Sequence, residues 1–190
     1  FNVLQKTEED TKRGEMYAQQ RQRKQFENTV SNLDQFLKQL DIKVKIKKSN
    51  EFLIPRISQL TLKTNQFNLT TRRYQEEEIS EFSKDENFEV GCVQVLDKFG
   101  DNGITGAYIV KKNGTSWMLD TFLLSCRIIG RGVEDAMLSQ ILKDAKNNGV
   151  EEFKAEFIHT SKNKPAENFL SDFGFKKQDK FWIYNLNNDI

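Results

Sequence analysis

The sequence is short of the residues that build metal and disulfide sites: it has one histidine, His159, and two cysteines, Cys92 and Cys126. Two thiols do not make the disulfide framework of a small secreted domain, and with a single histidine they do not complete a zinc set. A dominant charge is also missing. Lys and Arg number 29 against 28 Asp and Glu, a formal charge of +1, so no global basic field exists to hold nucleic acid or an anionic membrane. No apolar run approaches the ~20 residues of a membrane span. The start, FNVLQKTEEDTKR, is too charged for a secretion signal, so the expected location is the cytoplasm. Internal repeats and low-complexity linkers are absent from the sequence. The chain starts at Phe1 without Met, and it reads as a fragment of something longer.

What is present suits a globular fold. With 190 residues, 37% hydrophobic and 15 of them Phe, the chain fits one domain, or one domain with a helical extension. Strong helix formers fill 8–40, where Phe26, Val30, Leu33, Leu37 and Leu40 recur at spacings of four and three, predicting one long helix with an apolar stripe. Ile42, Val44 and Ile46 alternate with Lys43, Lys45 and Lys47, the period of a half-buried strand. Its lysines either guard an edge or meet an acidic partner. Pro55 opens a helix over 56–67, and a charged helix follows over 76–83.

The second half turns to strands. Runs over 88–97 and 104–111 read as a hairpin turning at Asp101-Asn102-Gly103. A buried strand over 116–125, a glycine-broken segment and a helix over 133–147 ending at Gly149 come next. A strand at 153–158, a helix at 165–172 and short strands near 175 and 181–185 complete the reading.

The informative segment is Cys126-Arg127-Ile128-Ile129-Gly130-Arg131-Gly132, between that buried strand and the helix. Glycines at 130 and 132 let a ligand approach the backbone, and the helix start offers free N–H groups suited to a diphosphate. Arg127 and Arg131 either join that contact, or are solvated loop residues or partners of Glu134. A dinucleotide fold places its glycines after the first strand, and a Walker loop needs Gly-Lys-Ser/Thr, so neither fits.

The pattern Arg-x-x-Gly-x-Gly after a central strand resembles the pyrophosphate loop of the GCN5-related N-acetyltransferase (GNAT) fold. Asn163-Lys164-Pro165-Ala166, Phe169 and Gly174-Phe175 resemble the later motif of that family. The resemblance covers about 66–186. It implies an α/β (α+β) fold: a GNAT-like mixed sheet flanked by helices, with an N-terminal helical extension over 1–65. By the same resemblance residues 127–132 (Arg127, Ile128, Ile129, Gly130, Arg131, Gly132) and Asn163 hold an acyl-CoA.

A narrower likeness runs nearly end to end. Thr7-Glu8-Glu9-Asp10-Thr11-Lys12-Arg13, Arg56-Ile57-Ser58-Gln59-Leu60, Lys63-Thr64-Asn65-Gln66-Phe67-Asn68-Leu69-Thr70-Thr71, Asp97-Lys98-Phe99-Gly100-Asp101 and Ser125-Cys126-Arg127 resemble the C-terminal part of FkbH-like proteins. That family joins a haloacid-dehalogenase (HAD) type phosphatase domain to an acetyltransferase-like domain and loads a glyceryl unit onto an acyl carrier protein. The likeness implies that 1–65 is an extension or linker from a missing HAD-type domain and 66–190 an acyltransferase domain. Its partners would be an acyl carrier protein and that upstream domain, and its cofactor phosphopantetheine on the carrier or acyl-CoA. The phosphatase motif Asp-x-Asp-x-Thr/Val is absent from the sequence, so phosphate removal is not expected of these residues, nor is a metal.

Within this frame Cys126, beside Arg127 and a helix start, is the best nucleophile, or else a small core residue closing a strand. Cys92 reads as core. His159 is a candidate general base, or a strand-end structural residue. Asn65, Gln66 and Asn68 either pin irregular backbone or line an acyl pocket, where an amide would donate to a thioester carbonyl. Asp101 belongs to a turn or to the substrate site, and Thr160 and Asn163 either cap the helix at Pro165 or bind a ligand's amide arm. Three functions stay open: acyl transfer to a carrier protein through Cys126, a noncatalytic carrier-docking module using Lys43, Lys45 and Lys47, and an acetyl-CoA-dependent N-acetyltransferase.

Overall fold

A computed structural model describes residues 8–30 and 32–187. Phe1, Thr7 and Ser31 lie outside them. The chain divides into two compact units, the described residues of Phe1–Val44 with Val95–Gly103, and Lys45–Gln94 with the described residues of Ile104–Ile190. The boundary expected at 65/66 falls inside the second unit.

The expected long helix over 8–40 is two helices, α1 (Glu8–Thr29) and α2 (Leu33–Leu40). Asn32 accounts for the break, because its side chain accepts from the Asp34 N–H at 2.8 Å and caps the second helix. In the same unit Phe26 meets Phe36 and Phe99, each at 5.7 Å between centroids. The hairpin tip is also displaced from its expected place. β3 (Phe88–Asp97) turns at Lys98 and Phe99 into β4 (Gly100–Asn113), because the Asp97 carboxylate accepts the Phe99 N–H at 2.9 Å. Asp101-Asn102-Gly103 makes a bend within β4, where the Asp101 carboxylate accepts the Gly103 N–H at 2.7 Å.

Strand β1 (Lys43–Lys48) alternates exposed lysines with half-buried Val44 and Ile46, as its period requires. Helix α3 (Ile54–Lys63) carries Pro55 in its first turn and stops at Lys63, short of the expected 67, because Phe67 and Asn68 form a strand, β2. Helix α4 (Glu76–Lys84) opens on a Gln75–Glu78 capping box. Ile57 and Leu60 of α3 and Ile79 of α4 bury against Val90, Cys92, Ala107, Ile109 and Leu123 of the sheet. Burial in that core pushes the Cys92 thiol up to about 11.

β5 (Ser116–Leu124) is followed by a 3-10 turn at Cys126–Ile128 and helix α5 (Val133–Asn147), which buries Val133, Met137, Leu138, Ile141, Leu142 and Ala145 at helical spacing. β6 (Glu152–Glu156) then leads to a 3-10 turn at Lys164–Ala166 and the short helix α6 (Phe169–Phe173), in place of one helix over 165–172. The chain closes on β7 (Lys176–Gln178) and β8 (Phe181–Asn185). The sheet runs β1-β3-β4-β5-β6-β8-β7, with β2 pairing β5. It is mixed: β5 and β6 are parallel, whereas β4 with β5 and β6 with β8 are antiparallel.

Candidate active site

The site forms where two parallel strands part. β5 pairs with β6 only from Ser116↔Glu152 to Leu119↔Ala155. At the next residue β5 bulges: its register with β4 jumps from Val110↔Leu119 to Ile109↔Thr121, leaving Asp120 unmatched. A polar network holds the bulge. The Tyr74 hydroxyl donates to Asp120 Oδ2 at 2.8 Å, Thr70 Oγ1 donates to the Asp120 carbonyl at 2.9 Å, and Arg72 bonds that carbonyl at 3.1 Å and Glu156 at 3.0 Å. Burial, then the Asp120 carboxylate, pushes the Tyr74 phenol well above its usual value.

Beyond the bulge the edge that β5 turned toward β6 is taken by β2. Phe67 and Asn68 pair with Leu124 and Leu123, and the Leu69 N–H donates to the Phe122 carbonyl at 3.1 Å. On the far side the Ile158 N–H donates to the Leu69 carbonyl at 2.9 Å. Asn163 locks this insert. Its buried amide donates to the Asn68 and Ile158 carbonyls at 3.1 and 2.9 Å and accepts the Thr160 N–H at 2.8 Å.

Past Leu124 the chain emerges at Cys126, an exposed free thiol. It faces a cavity of about 320 Å³ lined by Arg56, Leu60 and Lys63 of α3 and by Asn65 and Gln66 of the following segment. Arg56 is steered by the Ile104 carbonyl at 3.1 Å and by Gln59 at 2.5 Å. Burial, then the neighbouring charge of Arg127, holds its guanidinium below the usual arginine value. Among the described residues no carboxylate lies within ion-pair distance of Arg56, Lys63 or Arg127. The wall of the thiol cavity therefore carries Arg56 and Lys63 without a compensating carboxylate, a setting that favours an oxyanion.

In the glycine loop Gly130 and Gly132 sit at φ of +77° and +79°, and a Cβ at either would meet nothing within 4 Å. The two glycines are there for conformation, which an L side chain adopts at a cost. Gly132 caps α5, and six residues, 127–132, separate Cys126 from the first residue of that helix, Val133. The Gly130 N–H donates to Glu134 Oε1 at 3.3 Å. Glu134 Oε2 is buried without a partner, and burial pushes this carboxyl above the usual carboxylate range. Ile128 is core, Ile129 is half-buried, and Arg127 and Arg131 are partly exposed.

Of the residues singled out in the sequence, Cys126, Asn65 and Gln66 come together. Cys126 is not the core residue its alternative reading allowed. His159 is exposed after β6 and does not line the thiol cavity, since β2 intervenes between β5 and the Ile158 segment. Asn68 is buried, bonding the Thr64 carbonyl and the Thr71 N–H, so it pins backbone and is closed to substrate. Asn163 is likewise spent on backbone and closed to a cofactor. Thr160 Oγ1 accepts the Lys162 and Asn163 N–H groups. Asp101 lies in the β4 bend of the other unit. Arg56 and Lys63 were missed, although Arg56, Leu60 and Lys63 carry the i, i+4, i+7 spacing of one helix face.

Among the described residues no cluster of three or more His, Cys, Asp or Glu could hold a metal, and no helix is long and apolar enough to cross a membrane. No family model matches the chain, and no curated protein matches it in sequence. Solved structures do match. A GNAT-family acetyltransferase from Staphylococcus aureus Mu50 is similar at a TM-score of 0.57 and 13% identity, over 76% of this chain and 99% of that one. The ribosomal-protein-S18-alanine N-acetyltransferase from Escherichia coli is similar at 0.55 and 14% identity, over 74% and 91%. A GNAT-family acetyltransferase from Elizabethkingia anophelis with acetyl-CoA bound is similar at 0.52 and 14% identity, over 72% and 78%. The chain thus has the GNAT acetyltransferase fold, a mixed sheet flanked by helices. The narrower FkbH-like resemblance rests on its sequence runs.

Proposed function

We propose that this domain passes a glyceryl or related acyl unit to the phosphopantetheine thiol of an acyl carrier protein, with Cys126 carrying the unit as a thioester. The observation behind this reading is the exposed Cys126 thiol in a cavity whose polar walls are cations and amides. In the first step the Cys126 thiolate attacks the acyl carbonyl; a C–S bond forms, and the donor leaves with the electrons of the bond it loses. In the second step the pantetheine thiol gives its proton to water, its sulfur attacks the carbonyl, and Cys126 departs as thiolate. Arg56, Lys63 and Arg127 favour the anions of both steps, and Gln66 or Asn65 donates to the carbonyl oxygen. Thioester exchange is nearly balanced in energy, so neither step needs a further energy source.

Incubating the chain with a glyceryl-loaded carrier protein tests this by reversal. Intact-mass measurement should find the glyceryl adduct on the wild type and none on Cys126→Ala, whose exposed site spares the fold. A wild type without adduct that still binds carrier selects the second reading, a noncatalytic docking module. That reading is favoured by the exposed lysines of β1, which suit an acidic carrier surface.

A further inference from the structure

Free acyl-CoA offers a protein the amides of its pantetheine arm and a diphosphate joined to a nucleotide. In an open sheet such an arm finds its backbone partners on a strand edge laid bare where parallel strands part, and the diphosphate finds N–H donors at the next helix start. Both places exist in this unit, and the chain fills both itself.

The bare edge would be β5 from Phe122 to Leu124, beyond its last pairing with β6 at Leu119. There β2 pairs with Leu123 and Leu124, Leu69 bonds Phe122, and Asn163 fastens β2 from behind. Phe67 and Leu69 are buried, at 3% and 1% exposure, so the insert is part of the core and not a loosely laid flap. At the helix start the Gly130 N–H is turned to the carboxylate of Glu134, whose other oxygen is buried without a donor. An entering diphosphate would meet a negative charge where it needs a positive one. The residues present therefore do not fit a bound coenzyme A.

The geometry points to a domain that excludes free acyl-CoA, with β2 standing where the pantetheine arm would pair and Glu134 where the diphosphate would bind. A thiol presented on a carrier protein is then the form that reaches Cys126, a clause that rests on the carrier reading. Such a thiol needs only the cavity between α3 and the end of β5, which is open, and brings no nucleotide diphosphate to the loop.

Calorimetric titration separates the parts. Acetyl-CoA at about 1 mM should give the wild type no saturable heat. Glu134→Gln keeps an acceptor for Gly130 and removes the charge; it should bind ADP, the diphosphate end without the arm, at least about tenfold more tightly than the wild type. S-acetylpantetheine, which meets only β2, should saturate neither protein. Melting curves check that both proteins are folded. Saturation of the wild type by acetyl-CoA with Kd below about 100 μM overturns the inference, as does Glu134→Gln with no gain for ADP. Either result leaves the mass measurement on Cys126 standing, and a missing Cys126 adduct leaves the exclusion of acetyl-CoA standing.

Discussion

Arg23 and Asp97 lie 74 positions apart in sequence and meet in the first unit as a buried pair, their side chains 4% and 1% exposed. The guanidinium grips the carboxylate with Nε at 2.5 Å and Nη2 at 2.9 Å. Burial alone would raise the Asp97 carboxyl, but Arg23 and the Phe99 N–H outweigh it and hold the group below its ordinary value. A carboxyl depressed on folding stabilises above its unfolded pKa, about 3.9, and that contribution is lost as pH falls through the folded value. Arg23→Met leaves an ionised carboxylate buried without its partner and should cost about 3–5 kcal/mol at neutral pH. Urea denaturation at neutral and acid pH checks both parts, since the deficit of the variant should shrink once acid protonates Asp97. Asn163 shows the same reach, spending its amide on a carbonyl 95 positions away.

At the scale of elements, β2 is only two residues long, yet it decides what the parting of β5 and β6 can receive. Phe67 anchors it, with Phe169 at 5.2 Å and Phe122 at 6.3 Å between ring centroids. Phe67→Ala should cost about 3–5 kcal/mol, and hydrogen exchange at the Leu69 amide should rise more than at amides of the β4–β5 ladder. Uniform exchange across both would mean that β2 is not a separable insert. The glycine loop is legible in sequence because the need for positive φ at 130 and 132 is a local demand that only glycine meets freely. The carboxylate of Glu134 turned into that loop is not legible in the same way. An acidic residue in a first helical turn is ordinary, and nothing in its spacing says whether it points to solvent or back to Gly130.

At the scale of the whole molecule, a net charge of +1 supplies no long-range steering, so attraction of the proposed acidic carrier would have to come from a patch. Lys45 and Lys47 are exposed on β1, which stands at one end of the strand order. Exposed pairs are worth about 0.2–1 kcal/mol each, so replacing both lysines by Ala should weaken carrier binding roughly fivefold and flatten its salt dependence. An unchanged salt profile in fluorescence titration would put the carrier surface elsewhere. The same replacements should leave the Cys126 adduct obtainable at high carrier concentration, because they touch encounter and not chemistry.

Sequence alone determined the class of fold and the chemistry on offer. Alternation gave β1, helical spacing gave α5, and the order of strand, glycine loop and helix placed Cys126 at a strand end, all because periodicity and turn chemistry act over a few neighbouring residues. Only tertiary structure decided that Arg56 and Lys63 face the thiol, that β2 lies against β5, and that His159 stays apart. Those outcomes depend on hydrogen bonds and burial between segments tens of residues apart, and such pairings leave no period in the chain from which they could be read.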